Sequence, residues 1–299
     1  NRITSIPVLS DVPNLKALGI GVNQITDISG LAGLTSMAIV DLTNNQITAI
    51  GPLTDLPNLI YMDLQNNQIT DISGLSGLPN LIFVYLNRNQ ITTLDALSYL
   101  PRLRFMELGT NQITDVSGLS GLPSLETVDL SYNQIEAIPA LSDLPNLIAM
   151  DINNNQITDI AGLAGLTSLA VLGLANNEIE DVAVLSGLTH LRSLDLSNNL
   201  IEDISVLTSL QRLDLLDLLY NPLDEDAYVY NLPAIEANNP GTEIYYDPCP
   251  WAFERRPYDR AGDVTQTPAL GWTAGAYAAL HDVYFGQDQE LVANATPAD

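Results

Sequence analysis

Lysine is almost missing from this chain. Lys16 is the only one, and ten Lys and Arg in total face 36 Asp and Glu, a formal net charge of −26 over 299 residues. A surface this acidic repels nucleic acid and anionic lipid and favours cationic partners. Solvation in a salty habitat accounts for it equally well. Cysteine is reduced to Cys249, which excludes a disulfide framework or a cysteine metal cluster within the chain. No apolar run approaches the ~18 residues that would cross a bilayer, so membrane insertion is not expected. The sequence starts at Asn1 with no Met and no signal-peptide pattern, and this predicts a processed or excerpted N-terminus.

Catalytic signatures are also missing. There is no GxSxG, CxxC, HExxH or phosphate-cradling glycine loop. The two histidines, His190 and His281, have no evident nucleophile beside them. The stretch DINNNQ (151–156) opens like a calcium loop, but Gln156 stands where the loop needs Gly and Gly162 where it needs Glu. No enzyme, no cofactor and no metal site is expected.

What fills the chain instead is one repeated unit. Asn1, Asn23, Asn45, Asn67, Asn89, Asn111, Asn133, Asn155, Asn177, Asn199 and Asn221 all obey 1 + 22k, without insertion or deletion. Ile follows two residues later from Ile3 to Ile201, and Leu223 closes that series. Met62 and Leu64 alternate, which predicts a short strand with both side chains inward. Ile69, Ile72, Leu75 and Leu78 then recur every three residues, which predicts a turning, 3-10-like return path. Each unit is one coil that cannot bury its own apolar side, so stacked coils must share a core. The asparagine, carrying both donors and an acceptor, is placed to satisfy backbone groups where the coil turns inward. The aspartates four residues later, such as Asp27, Asp71, Asp115, Asp159, Asp181 and Asp203, are expected to bond locally in the turn.

The pattern LxxLxLxxNxIxxIxxLxxL resembles leucine-rich repeats, and its 22-residue unit is most similar to the bacterial internalin-type class. The resemblance covers roughly residues 1–223. It implies an α/β repeat solenoid: a horseshoe with a concave parallel β-sheet, a short 3-10 or irregular convex side and a small helix–strand cap at the C-terminus. It also implies protein recognition on the concave face and a place outside the cell or on its surface.

The domain reading is an array over 1–221, missing its N-terminal part, a cap over 222–248, a linker over 249–266 and a tail over 267–299. In the cap, Asp224, Glu225 and Asp226 suit a helix start, Pro233 is expected to kink or split that helix, and GTEIYYD (241–247) reads as a strand. Trp272 and HDVYFG (281–286) resemble the opening strands of a fibronectin type III-like domain, too few for a whole one.

Outward positions on the strands fall six, four and two residues before each ladder asparagine. Six before come Tyr61, Phe83 and Phe105 on adjacent strands, in a chain holding only four Phe. Tyr85 stands beside them, with Arg88 and Tyr132 near the rim. Four before come Glu107, Asp129 and Asp151 as a carboxylate row, with Asp41/Asp63 and Asp195/Asp217 as shorter rows. Like charges ~4.8 Å apart are expected to raise one another's pKa unless a basic partner, a cation or solvent offsets them. Exposed aromatics in a row mark recognition surfaces, and the same residues also suit strands without any ligand. The reading is a non-catalytic module that binds a protein or peptide, basic in character, on its concave sheet. A structural spacer, a glycan-binding surface and the targeting arm of a larger enzyme stay open as alternatives.

Overall fold

Each 22-residue unit closes one coil, and the coils stack in register. The computed structural model describes residues 2–9, 11–53, 56–97 and 100–249. The expected linker beyond Cys249 and the fibronectin-like tail lie outside the described residues. Eleven three-residue strands form a single parallel sheet in sequence order: β1 (Ala17–Gly19), β2 (Ile39–Asp41), β3 (Tyr61–Asp63), β4 (Phe83–Tyr85), β5 (Phe105–Glu107), β6 (Thr127–Asp129), β7 (Ala149–Asp151), β8 (Val171–Gly173), β9 (Ser193–Asp195), β10 (Leu215–Asp217) and β11 (Glu243–Tyr245). Partners from β1 to β10 are 22 residues apart, as in Tyr61↔Phe83↔Phe105. Short 3-10 turns such as Ser73–Gly77 and Ala183–Gly187 make the return path. The stacked coils follow the periodicity, and the parallel sheet with its 3-10 return path is the architecture that the leucine-rich-repeat resemblance implies.

The core is a continuous apolar column. Leu59, Met62, Leu64, Ile69, Leu75 and Leu78 of one coil are wholly buried, and the same positions are buried along the array. Each such side chain contributes about 1.5–3 kcal/mol relative to exposure. The coils also demand close backbone approach on the side away from the sheet. A Cβ on Gly74 would lie 2.2 Å from the Ile50 carbonyl oxygen, and Gly30, Gly118 and Gly162 meet the same obstacle. These glycines recur every second unit, a 44-residue rhythm laid over the 22-residue one.

Each ladder asparagine ties two coils together. The Asn111 side-chain oxygen accepts from the Ile91 N–H (3.0 Å), and its amide donates to the carbonyls of Leu108 (2.8 Å) and Leu86 (3.1 Å). The pattern repeats from Asn45 to Asn221. A second ladder runs along the approach to the strands, and the sequence reading missed it. The side chains of Asn58, Asn80, Ser124, Asn146 and Ser168 each donate to a carbonyl 23 residues earlier, at 2.7–2.9 Å. His190 belongs to this series: its Nδ1 lies 3.0 Å from the Thr167 carbonyl, which can only accept, so Nδ1 carries the proton.

The residue before each ladder asparagine adopts a left-handed backbone. Asparagine fills that place at 44, 66, 154, 176 and 198, but Val22, Arg88, Thr110, Tyr132 and Tyr220 hold it elsewhere, with φ of 55° to 60°. Branched and bulky residues pay steric strain there that asparagine largely escapes. Thr110 is exposed. Thr110→Asn is therefore expected to stabilise the array by about 0.5–1 kcal/mol, read as a raised urea midpoint with an unchanged slope.

The array ends in a longer coil. β11 pairs with β10 through Leu215↔Glu243, 28 residues apart, and a helix fills the extra length. The Asp224 carboxylate accepts from the Ala227 N–H (2.7 Å) near its start. Pro233 does not split this helix. A π-helical turn, Ala227–Asn231, leads directly into α1 (Leu232–Asn238), with Pro233 in the first turn of α1 where a missing N–H costs little. Asn239, buried and out of phase with the repeat, does a ladder residue's work: it accepts from the Leu213 N–H and donates to Leu210 and Ile235 carbonyls, each at 2.8–3.0 Å.

Candidate functional site: the outward face of the sheet

Three outward positions per strand build this face, and no lysine or arginine occupies any of them from β1 to β10. The first half, over β3 to β5, is aromatic. Phe83 and Phe105 stack with ring centres 5.0 Å apart and planes 7° apart. Tyr61 packs on both Phe83 (6.3 Å) and Tyr85 (5.4 Å). The four rings are half-buried against one another rather than fully exposed. Burial, reinforced by the Asp63 charge, pushes the Tyr61 hydroxyl up to about 12. The Arg104 guanidinium lies 5.5 Å from the centre of the Phe105 ring and forms a two-pronged bond to Glu126 (2.7 Å each) at the strand's entry.

Arg88 and Tyr132 do not join this cluster. Both occupy the left-handed turn beyond the strand ends, and both are exposed there.

The second half is acidic and low. Register places Glu107, Asp129 and Asp151 on neighbouring strands, Asp41 next to Asp63, and Asp195 next to Asp217. Small residues surround them: Ala149, Val171, Gly173 and Ser193 leave a hollow of about 240 Å³ whose lining also includes Asp129, Asp151, Asn153 and Asp195. The carboxylates have local work that sequence reasoning missed. One oxygen of each aspartate accepts from the backbone N–H two residues on, at 2.8 Å for Asp129–Ser131, 2.9 Å for Asp151–Asn153 and 3.0 Å for Asp195–Ser197. The residue two on gives no signal, because its backbone N–H is the donor: Leu219 makes the same bond to Asp217 (3.0 Å). Glu107 instead accepts from Asn87 of the preceding coil (2.7 Å).

The carboxyls of Asp63, Glu107, Asp151 and Asp217 are held above their ordinary values of 3.8 and 4.5. Burial is the largest cause in every case, ahead of the mutual repulsion that the row suggested. The turn aspartates Asp27, Asp71 and Asp203 shift down, because the N–H of Ser29, Ser73 or Ser205 holds the ionised form. The signs oppose. A carboxyl raised by folding binds its proton more tightly in the folded state, so the stability it brings is present at low pH and is lost as pH climbs through its folded value. A lowered carboxyl stabilises above 3.8 and stops doing so as pH falls. Melting temperature is therefore expected to rise on acidification from pH 7 to about pH 4.5 and to fall below about pH 3.8. Asp151→Asn, which keeps an oxygen for the Asn153 N–H, should raise the melting temperature at pH 7 and flatten the rise; a pH series of calorimetric scans checks both.

Among the described residues no group of three or more His, Cys, Asp or Glu converges to hold a metal ion, and no helix is long and apolar enough to cross a membrane.

A parallel sheet with one strand per 22-residue coil and an asparagine ladder defines a leucine-rich-repeat solenoid, and comparison agrees. Three family profiles match: Leucine Rich repeats in two copies at residues 13–58, 57–99 and 101–144, Leucine rich repeat at 123–179, and Leucine Rich repeat at 187–208. The chain belongs to the leucine-rich-repeat family. It is similar to two solved internalins from Listeria monocytogenes. One, inlF, is 28% identical, with a TM-score of 0.61 over 83% of this chain and 80% of that one. The other, internalin C2, is 34% identical, with a TM-score of 0.59 over 65% of this chain and 84% of that one. The APL1 leucine-rich repeat domain, 24% identical with a TM-score of 0.63 over 74% of this chain and 60% of that one, shares the fold alone. Among curated proteins none matches the chain significantly.

Proposed function

We propose that the outward sheet face is a non-catalytic recognition surface for a protein or peptide of basic character, acting outside the cell as the internalin likeness suggests. The observation that carries this is the joining, on one face, of the Tyr61–Phe83–Tyr85–Phe105 cluster to carboxylate rows with no intervening lysine or arginine. Aromatic anchors supply buried area, and the acidic field speeds encounter with a cationic partner and selects for it. A glycan is a weaker reading. Phe83 and Phe105 each give one ring face to the other, and Tyr61 and Arg104 crowd the remaining approaches, which leaves little open ring face for a sugar. The test is capture of a purified partner by the whole chain, compared with the Phe83→Ala/Phe105→Ala variant. A folded variant that captures as well as the parent sinks the proposal.

A further inference from the structure

We propose that the occupant of this face is an extended polypeptide segment lying across the strands, with an aromatic or large aliphatic side chain on the β3–β5 rings and a lysine or arginine about four residues away, seated in the β6–β9 hollow; this rests on the recognition reading above. Three observations converge on the spacing and the chemistry. The hollow is the place where the face drops, because Ala149, Val171 and Gly173 stand where β4 and β5 carry rings or long acids. Its volume of about 240 Å³ suits one side chain, not a domain. Its charge is uncompensated. Asp129, Asp151 and Asp195 each commit one oxygen to a backbone N–H, and the second oxygen accepts no hydrogen bond from the described residues. The nearest ion pairs, Arg104–Glu126 and Arg192–Asp214, lie at the entry to the strands and leave these carboxylates unpaired. A guanidinium or ammonium group meets that geometry, and partly desolvated carboxylates strengthen its bonds.

The distance follows from the sheet. β8, at the floor of the hollow, is three strands from β5, or ~14 Å at ~4.8 Å per strand. An extended chain advances ~3.3 Å per residue, so about four residues bridge the two subsites. A helix, rising ~1.5 Å per residue, would need about nine.

Linear random dodecamers displayed on phage, selected on the immobilised whole chain, read this out. Enriched clones should pair an aromatic or large aliphatic residue with Arg or Lys at a separation of three to five. A synthetic peptide from them should bind Asp151→Asn/Asp195→Asn at least ten-fold more weakly than the parent, and changing its basic residue to Gln should cause no further loss in that variant. Both asparagines retain an oxygen for the Asn153 and Ser197 N–H groups, and circular dichroism melts verify the fold. Clones that need Phe83 and Phe105 but lack a basic residue, space it nine apart, or ignore the double asparagine variant would overturn this inference while leaving the recognition surface standing. If no selected clone depends on Phe83 and Phe105, both fail.

Discussion

Asn111→Ala is expected to lower the stability of the array by about 2–4 kcal/mol. The asparagine is 7% exposed, in the middle of the solenoid. Its removal leaves the buried Ile91 N–H without a partner and takes one of two amide donors from each of the Leu86 and Leu108 carbonyls, which Asn89 and Asn133 still reach. An unsatisfied buried polar group costs about 1–3 kcal/mol, and the methyl of alanine reaches none of these. The loss spans two coils, since Ile91 and Leu86 belong to the preceding one. Because a repeat array is held by nearest-neighbour contacts, the damage should be local before it is global. Hydrogen exchange should speed first at Ile91 and its neighbours, and the urea midpoint should fall. Gln112→Ala, one residue on and exposed, is the matched control, with an expected change within about 0.5 kcal/mol. A midpoint shift no larger than the control's would refute the role given to the ladder.

Phe83→Ala/Phe105→Ala is expected to weaken partner binding by about 2–4 kcal/mol, roughly 30- to 1,000-fold, if the face is used as proposed. Removing both rings of the 5.0 Å stack deletes half of the aromatic cluster and leaves Tyr61 packed on Tyr85 alone. Stability should suffer less, because the rings are half-buried on the sheet face and outside the leucine column. Their mutual packing is worth about 0.5–1.5 kcal/mol. Isothermal titration alongside thermal melts separates the two effects. Comparable losses in folding and binding would mean the rings serve the sheet and not a partner.

Much of the fold is legible in the residues because its rule is local and repeats. An apolar residue at every second position and then every third, returning after 22, has few geometric solutions other than a coil. Buried asparagine at the turn meets a need that recurs with it. The second ladder escaped notice because asparagine, serine and histidine take turns at one position, and only their shared ability to donate links them. Pro233 misled in the cap because a proline read alone signals a break. The chain stays helical through it, and the change from π to α winding falls directly before it. The outward aspartates were visible, but their bonds to the N–H two residues on depend on strand-end dihedrals that no side-chain pattern announces.

The order of residues along the chain was enough to establish a parallel-stranded coil, its period, its buried column and which side chains lie on the open face, since all of these follow from side-chain alternation and an unbroken repeat. Tertiary packing alone decided that Phe83 and Phe105 stack face to face, that Arg88 and Tyr132 stand apart from them, that burial outweighs repulsion in raising the carboxyl pKa values, and that the face sinks around Gly173. These depend on rotamers, desolvation and the relative heights of side chains on neighbouring strands, quantities that exist only once the coils are stacked.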